Sequence, residues 1–217
     1  MKKTLVACYS ILLMPAGLAP ASASIEEVPA INRLSKCGTG ITSTGEVKTI
    51  DSNIISGGLD ASGIPSNLHG IDLYNGFTYK IPLQITRNRI TDYPYGIRLM
   101  NVWVNNSFVV AGNEINFNLS EDQLGGKVYR GIFMSNCLGA KVANNNILWN
   151  SGLIIPADIN AHAYDVQGLR MEHVQSSDIK DNTVTTCGTG MFLYDDCSGT
   201  YFTCNHFQDD YPGIDFS

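Results

Sequence analysis

Charge is scarce in this chain: Asp, Glu, Lys and Arg make up 16% of its 217 residues. What charge there is leans acidic, with 14 Lys and Arg against 20 Asp and Glu for a net −6. Nucleic acid needs a clustered basic surface, so that class of partner is set aside. No Cys-x-x-Cys or Cys/His spacing suited to zinc is present, and the four His are scattered. The Cys, His and Ser positions make no defensible nucleophile triad either. Beyond the N-terminus no apolar run approaches the ~20 residues of a membrane-spanning helix, so no span is expected.

Glycine and asparagine are abundant, and they recur in step with apolar residues. One motif reads Φ-x-x-Asn-x-Φ, where Φ is apolar. It occurs at Ile50/Asn53/Ile55, Ile85/Asn88/Ile90, Val110/Asn113/Ile115, Val142/Asn145/Ile147, Ile179/Asn182/Val184 and Phe202/Asn205/Phe207. The other reads Gly-Φ-x-Φ. It occurs at Gly70-Ile71/Leu73, Gly96-Ile97/Leu99, Gly131-Ile132/Met134, Gly168-Leu169/Met171, Gly190-Met191/Leu193 and Gly213-Ile214/Phe216. Short apolar steps of two mean strands, and a motif recurring every few tens of residues means a solenoid in which neighbouring coils bury one another. Asn suits a tight corner because it tolerates left-handed backbone angles, and its amide can bond up and down a stack. The expected fold is all-β: a right-handed parallel β-helix of six to seven coils with an asparagine ladder.

On these rows the chain resembles the pectate-lyase-like superfamily of parallel β-helix proteins, from about Asn32 to the C-terminus. The resemblance is specific for fold and poor for function, because the superfamily holds lyases, hydrolases, epimerases, phage tailspikes and non-catalytic surface proteins.

Three divisions are expected. Residues 1–23 read as a secretory signal, with Lys2-Lys3, an apolar stretch from Thr4 to Leu18 and the small-residue site Ala21-Ser22-Ala23. Pro15 and Gly17 interrupt that stretch too early for a membrane anchor, and Leu5-Val6-Ala7-Cys8 lies too early for a lipoprotein box. The mature protein is therefore expected to be secreted, periplasmic or on the surface of a bacterial cell. Residues 24–49 form an N-terminal cap and a degenerate first coil, and 50–217 the β-helix proper. No cap follows Phe216, so the last coil is expected to be covered by missing coils or by another subunit. Removal of the signal leaves Cys37, Cys137, Cys187, Cys197 and Cys204, an odd number read mainly as buried thiols.

The Asn-to-Gly distance locates the function. It is eight after Asn88, Asn182 and Asn205, but 17 after Asn53, 18 after Asn113 and 23 after Asn145. Three long loops should therefore leave from one corner, just before the glycine strand, and make a binding face. Outward positions of that strand supply the candidate ligand-facing residues: Asp72, Tyr74, Arg98, Phe133, Arg170, Glu172, Phe192 and Tyr194. Aromatics stack on sugar rings, and Arg pairs with carboxylates, so a polysaccharide is the expected partner. The resemblance implies that a lyase would use Arg98 or Arg170 as base, with Asp72, Glu172 or Asp158 helping to hold calcium. No other cofactor and no resident metal is expected. Asp195-Asp196-Cys197 resembles the Asp-Asp-Cys string of polygalacturonases, but it follows its strand, and no Gly-His-Gly or Arg-Ile-Lys partner is present. The Asp-Pro-His-Asp string of mannuronan epimerases is missing too. Two functions stand: an exported domain binding or processing polysaccharide, of lyase or epimerase type, or a non-catalytic adhesin-like solenoid.

Overall fold

The computed structural model describes residues 11–13, 25–28, 32–43, 47–61, 63–66, 68–74, 78–79, 82–120, 123–124, 126–150, 165–208, 210 and 213–216. Side chains are described within these except at 11–13, 25–28, 78–79 and 104–107. Every pairing between strands is parallel, and the strands fall into three columns. The glycine column stacks Thr39–Ser43, His69–Tyr74, Tyr95–Met100, the first part of Tyr129–Ala143, then Val166–Gln175, Thr189–Tyr194 and Ile214–Phe216. A second column runs into the asparagine corner and a third leaves it. Among the described residues no helix is long and apolar enough to cross a membrane.

The apolar rows stack as their spacing requires. Ile41, Ile71, Ile97, Ile132, Leu169, Met191 and Ile214 follow one another through the glycine column. Leu34, Ile55, Ile90, Ile115, Ile147, Val184 and Phe207 do so after the corner. Most of these side chains are buried in one continuous core. Glycine is needed where that core is narrowest. A Cβ on Gly131 would lie 2.6 Å from both the Gly168 carbonyl oxygen and Ile147 Cγ2, closer than any side chain allows.

The ladder extends one rung beyond the six predicted. Nδ2 of Asn32 donates to Oδ1 of Asn53 at 3.0 Å, and the same bond continues through Asn88, Asn113, Asn145, Asn182 and Asn205. Each Oδ1 from Asn88 onward also accepts the backbone N–H of the preceding rung. From Asn88 on, the second amide hydrogen goes to a carbonyl of the coil before, as from Asn145 to Val110 at 2.9 Å. Buried amides thereby lose none of their hydrogen bonds.

One detail of the corner differs from expectation. No ladder Asn has a left-handed backbone; the residue before it does, at Ser52, Arg87, Gly112, Asn144, Asp181 and Cys204, with φ between 52° and 64°. The preceding residue makes the turn, which leaves the Asn side chain free to point inward and pair. None of the described cysteines is joined to another in a disulfide: Cys37, Cys137 and Cys187 are buried, Cys197 half-buried and Cys204 exposed. Burial pushes the Cys137 thiol up to about 12, so it is inert as a nucleophile at neutral pH.

Asn145→Ala should leave the amide of Asn113 and its backbone N–H without their acceptor. We expect a loss of about 3–5 kcal/mol in urea unfolding, from two buried donors left unpaired. Asn150→Ala, at an exposed side chain that bonds, among the described residues, to Asn118 Oδ1 alone, should stay within about 0.5 kcal/mol.

Candidate functional site

The long connections do leave from a single corner. They run from Ser56 to His69, from Phe117 to Tyr129 and from Trp149 to Val166, each between the end of a post-asparagine strand and the next glycine strand. The first two touch across the short coil between them, where the ammonium of Lys127 donates to the Pro65 carbonyl. Asp92, on that short coil, accepts the Asn118 backbone N–H at 2.7 Å. Beneath the corner, Phe117 stacks on Trp149 with centroids 5.1 Å apart, and both meet Tyr129 edge-on. This aromatic wedge extends the core at the ends of the strands from which the second and third connections leave. Asp158 lies outside the described residues.

The expected ribbon is present and in register. Asp72, Arg98, Phe133, Arg170 and Phe192 follow one another coil by coil, and so do Tyr74, Met100, Ser135, Glu172 and Tyr194. It is less open than outward-pointing strand residues would suggest. Tyr74 and Tyr194 are half exposed, but Asp72, Phe133 and Phe192 are buried. Over Asp72 and Phe133 the cover comes from a row the sequence reading missed: His69, Tyr95, Arg130 and Gln167, each one residue before a ribbon glycine. Strict alternation puts that position inside, because the residue two before an inward apolar one should also face in. At the glycine the alternation slips. A Cβ on Gly96 would meet core Ile115 Cγ2 at 2.7 Å, so the glycine itself faces inward and its predecessor outward.

Together the two rows form a polar and aromatic mat. Arg98 grips Asp72 with two hydrogen bonds of 2.8 Å. Arg170 pairs with Glu172 at 2.5 Å and lies 4.5 Å above the Phe192 ring. Both arginines considered as a base are thus held by carboxylates of the chain itself. Asp72 and Glu172 stand three coils apart, about 14 Å, too far to share one cation. Among the described residues no group of three or more His, Cys, Asp and Glu gathers in a metal-holding cluster.

Arg130 is different. It lies over the rings of Tyr95 and Phe133, at 5.3 Å and 5.0 Å. Its hydrogen bonds go to the Tyr95 hydroxyl at 2.7 Å and to Gln167 Oε1 at 3.1 Å. Among the described residues no carboxylate pairs with it. Burial, with the Arg170 charge nearby, pulls its pKa below the usual guanidinium value. Gln167 is 1% exposed and its Oε1 also accepts from Arg170, which turns Nε2 away with no hydrogen-bond partner. Among the described residues the mat therefore carries one guanidinium without a directly paired carboxylate, beside a buried donor with no hydrogen-bond partner, on a chain that is acidic overall.

His69 sits 5.2 Å from the Tyr95 ring and 3.6 Å from Asp72. Burial holds its pKa well below the ordinary 6.5, near 4, against the pull of Asp72. A histidine depressed in the fold favours folding above its unfolded pKa and loses that contribution as pH falls towards the folded one. Stability to urea should therefore drop between pH 6.5 and about 4, by on the order of 3 kcal/mol from this residue. In His69→Gln the slope over that window should flatten by the same amount.

The chain matches the model of the right handed beta helix region over residues 31–216 and belongs to that family. Neither a curated protein nor a solved structure matches it.

Proposed function

We propose that this is an exported β-helix domain that holds an acidic polysaccharide against its long-loop face. The supporting observation is Arg130, a half-buried guanidinium clamped between two aromatic rings, with which no carboxylate pairs among the described residues. A buried charge without a counter-ion is costly, and a carboxylate or sulfate on a bound glycan would supply one. Tyr74 and Tyr194 offer half-exposed rings towards the two ends of the same ribbon, suited to the apolar faces of sugars. With Arg98 and Arg170 both engaged by carboxylates, recognition is favoured over lyase or epimerase chemistry at this ribbon. That places the domain near the adhesin-like reading while keeping polysaccharide as its ligand.

Affinity electrophoresis through gels containing polygalacturonate or a neutral glucan tests this directly. Native protein should be retarded by the acidic polymer, and less so as salt is raised. Arg130→Gln should weaken retention about tenfold, the worth of one charge-assisted hydrogen bond. Lys141→Gln, which removes an equal charge from an exposed site on another column, should leave it unchanged. Equal retention of native protein and Arg130→Gln would overturn the proposal.

A further inference from the structure

We infer that a groove at the other end of the glycine strands is a second sugar site, one that takes an uncharged pyranose ring; this rests on the polysaccharide reading above. The groove has a volume of about 300 Å³ and is lined by Trp103, Asn136, Cys137, Leu138, His173 and Gln175. It crosses three successive coils, since Trp103 pairs with Leu138 and Leu138 with Gln175. Trp103 and Leu138 are 46% and 41% exposed, so the groove offers an apolar strip about as long as one or two sugar rings. The indole is fixed in orientation: its Nε1 donates to the Asn136 carbonyl at 2.8 Å. Its only polar atom is therefore engaged, and its ring face remains for stacking.

The polar rim gives the site its chemistry. His173 presents Nδ1 to Asp195 Oδ2 at 3.0 Å. The Gln175 amide donates to Asp196. Each rim group is oriented by a carboxylate behind it, and each keeps an acceptor for a ligand: imidazole Nε2 on one, amide Oε1 on the other. Two acceptors beside an apolar strip call for a ligand with hydroxyl donors and an apolar face, which describes a pyranose. The charge is equally selective. Asp195 and Asp196 make this corner negative, and the Ser198 backbone N–H, 2.9 Å from Asp196 Oδ1, keeps that carboxylate ionised to lower pH than usual. A uronate or sulfated sugar would be repelled. Asp195-Asp196 thus acquires a role as backing for a binding rim, unlike the catalytic string it resembles.

Fluorescence reads this site alone. The chain has two tryptophans, and Trp149 is 2% exposed with its Nε1 bonded to the Leu119 carbonyl. Acrylamide should therefore quench Trp103 selectively in the intact protein. Gluco-, manno-, galacto- and xylo-hexaose, each at millimolar concentration, are compared with a hexamer of galacturonate. At least one neutral hexasaccharide should reduce the quenching constant by about half, and the galacturonate hexamer should not. Gln175→Ala should weaken that protection about fivefold, the worth of one hydrogen bond, with an unchanged melting temperature. Leu138→Ala, at the exposed wall, serves as a second variant with the same expectation. Absence of protection by every neutral hexasaccharide, or equal protection by the acidic one, overturns the inference. If Arg130-dependent retention on polygalacturonate persists alongside unprotected Trp103, the groove alone fails; if both responses are missing, both readings fail.

Discussion

A buried amide must have its hydrogen bonds made, and in this fold it makes them to the side-chain amides above and below and to the backbone of the coil before. That requirement governs the rest of the molecule. The rungs from Asn88 to Asn182 donate twice from Nδ2 and accept twice at Oδ1, so sliding one coil by a residue would strand several polar groups at once. Apolar contacts alone would not fix register this firmly, because Ile, Leu, Val and Met can repack at small cost. With the ladder set, every other column is set too. The long connections emerge at one corner because the coils have no freedom to turn relative to one another.

Register converts a one-dimensional list into a surface. Residues 26 apart in sequence, such as Asp72 and Arg98, become neighbours about 4.8 Å apart in the stack. At that spacing like charges repel and unlike ones pair. The observed order along the column, carboxylate, guanidinium, ring, guanidinium, ring, answers that constraint: Phe133 separates Arg98 from Arg170. Arg130 enters from the neighbouring row and settles on the rings of Tyr95 and Phe133. The guanidinium faces gain contact with π-systems while the donor edges hydrogen-bond to Tyr95, Gln167 and Glu172.

How much of this could be read in advance depended on whether a residue obeyed the two periodicities. The asparagine and glycine rows did, as did the corner from which the loops leave and the membership of the outward ribbon. His69, Tyr95, Arg130 and Gln167 did not, because the inward slip at each glycine exchanges the faces and hides them from a period-two count. The pairing of Arg98 with Asp72 and Arg170 with Glu172 was also out of reach. It depends on rotamers of long side chains after the register is set, and composition carries no signal for that. The left-handed residue was misplaced by one because Asn is a common left-handed residue in general, whereas here its side chain is committed to the stack. The Trp103 groove gave no sequence signal, since it is assembled from residues of three coils that are far apart in the chain.

The two ends of the glycine strands differ in sign, and the contrast follows from backbone geometry at each. Before the glycine, the slipped alternation lets long side chains lie flat over the strand, which suits arginines that can rest on rings. After it, the chain turns through left-handed residues at Asn101, Asn136, His173 and Asp195. Those positions favour short polar side chains such as Asn and Asp, which tolerate that conformation best. Asp195, with Asp196 beside it, stands at such a turn, whereas Arg130 stands at the entry. A ligand reaching from the Arg130 coil to that of Asp195, two coils on, would meet a guanidinium at one edge and carboxylates at the other.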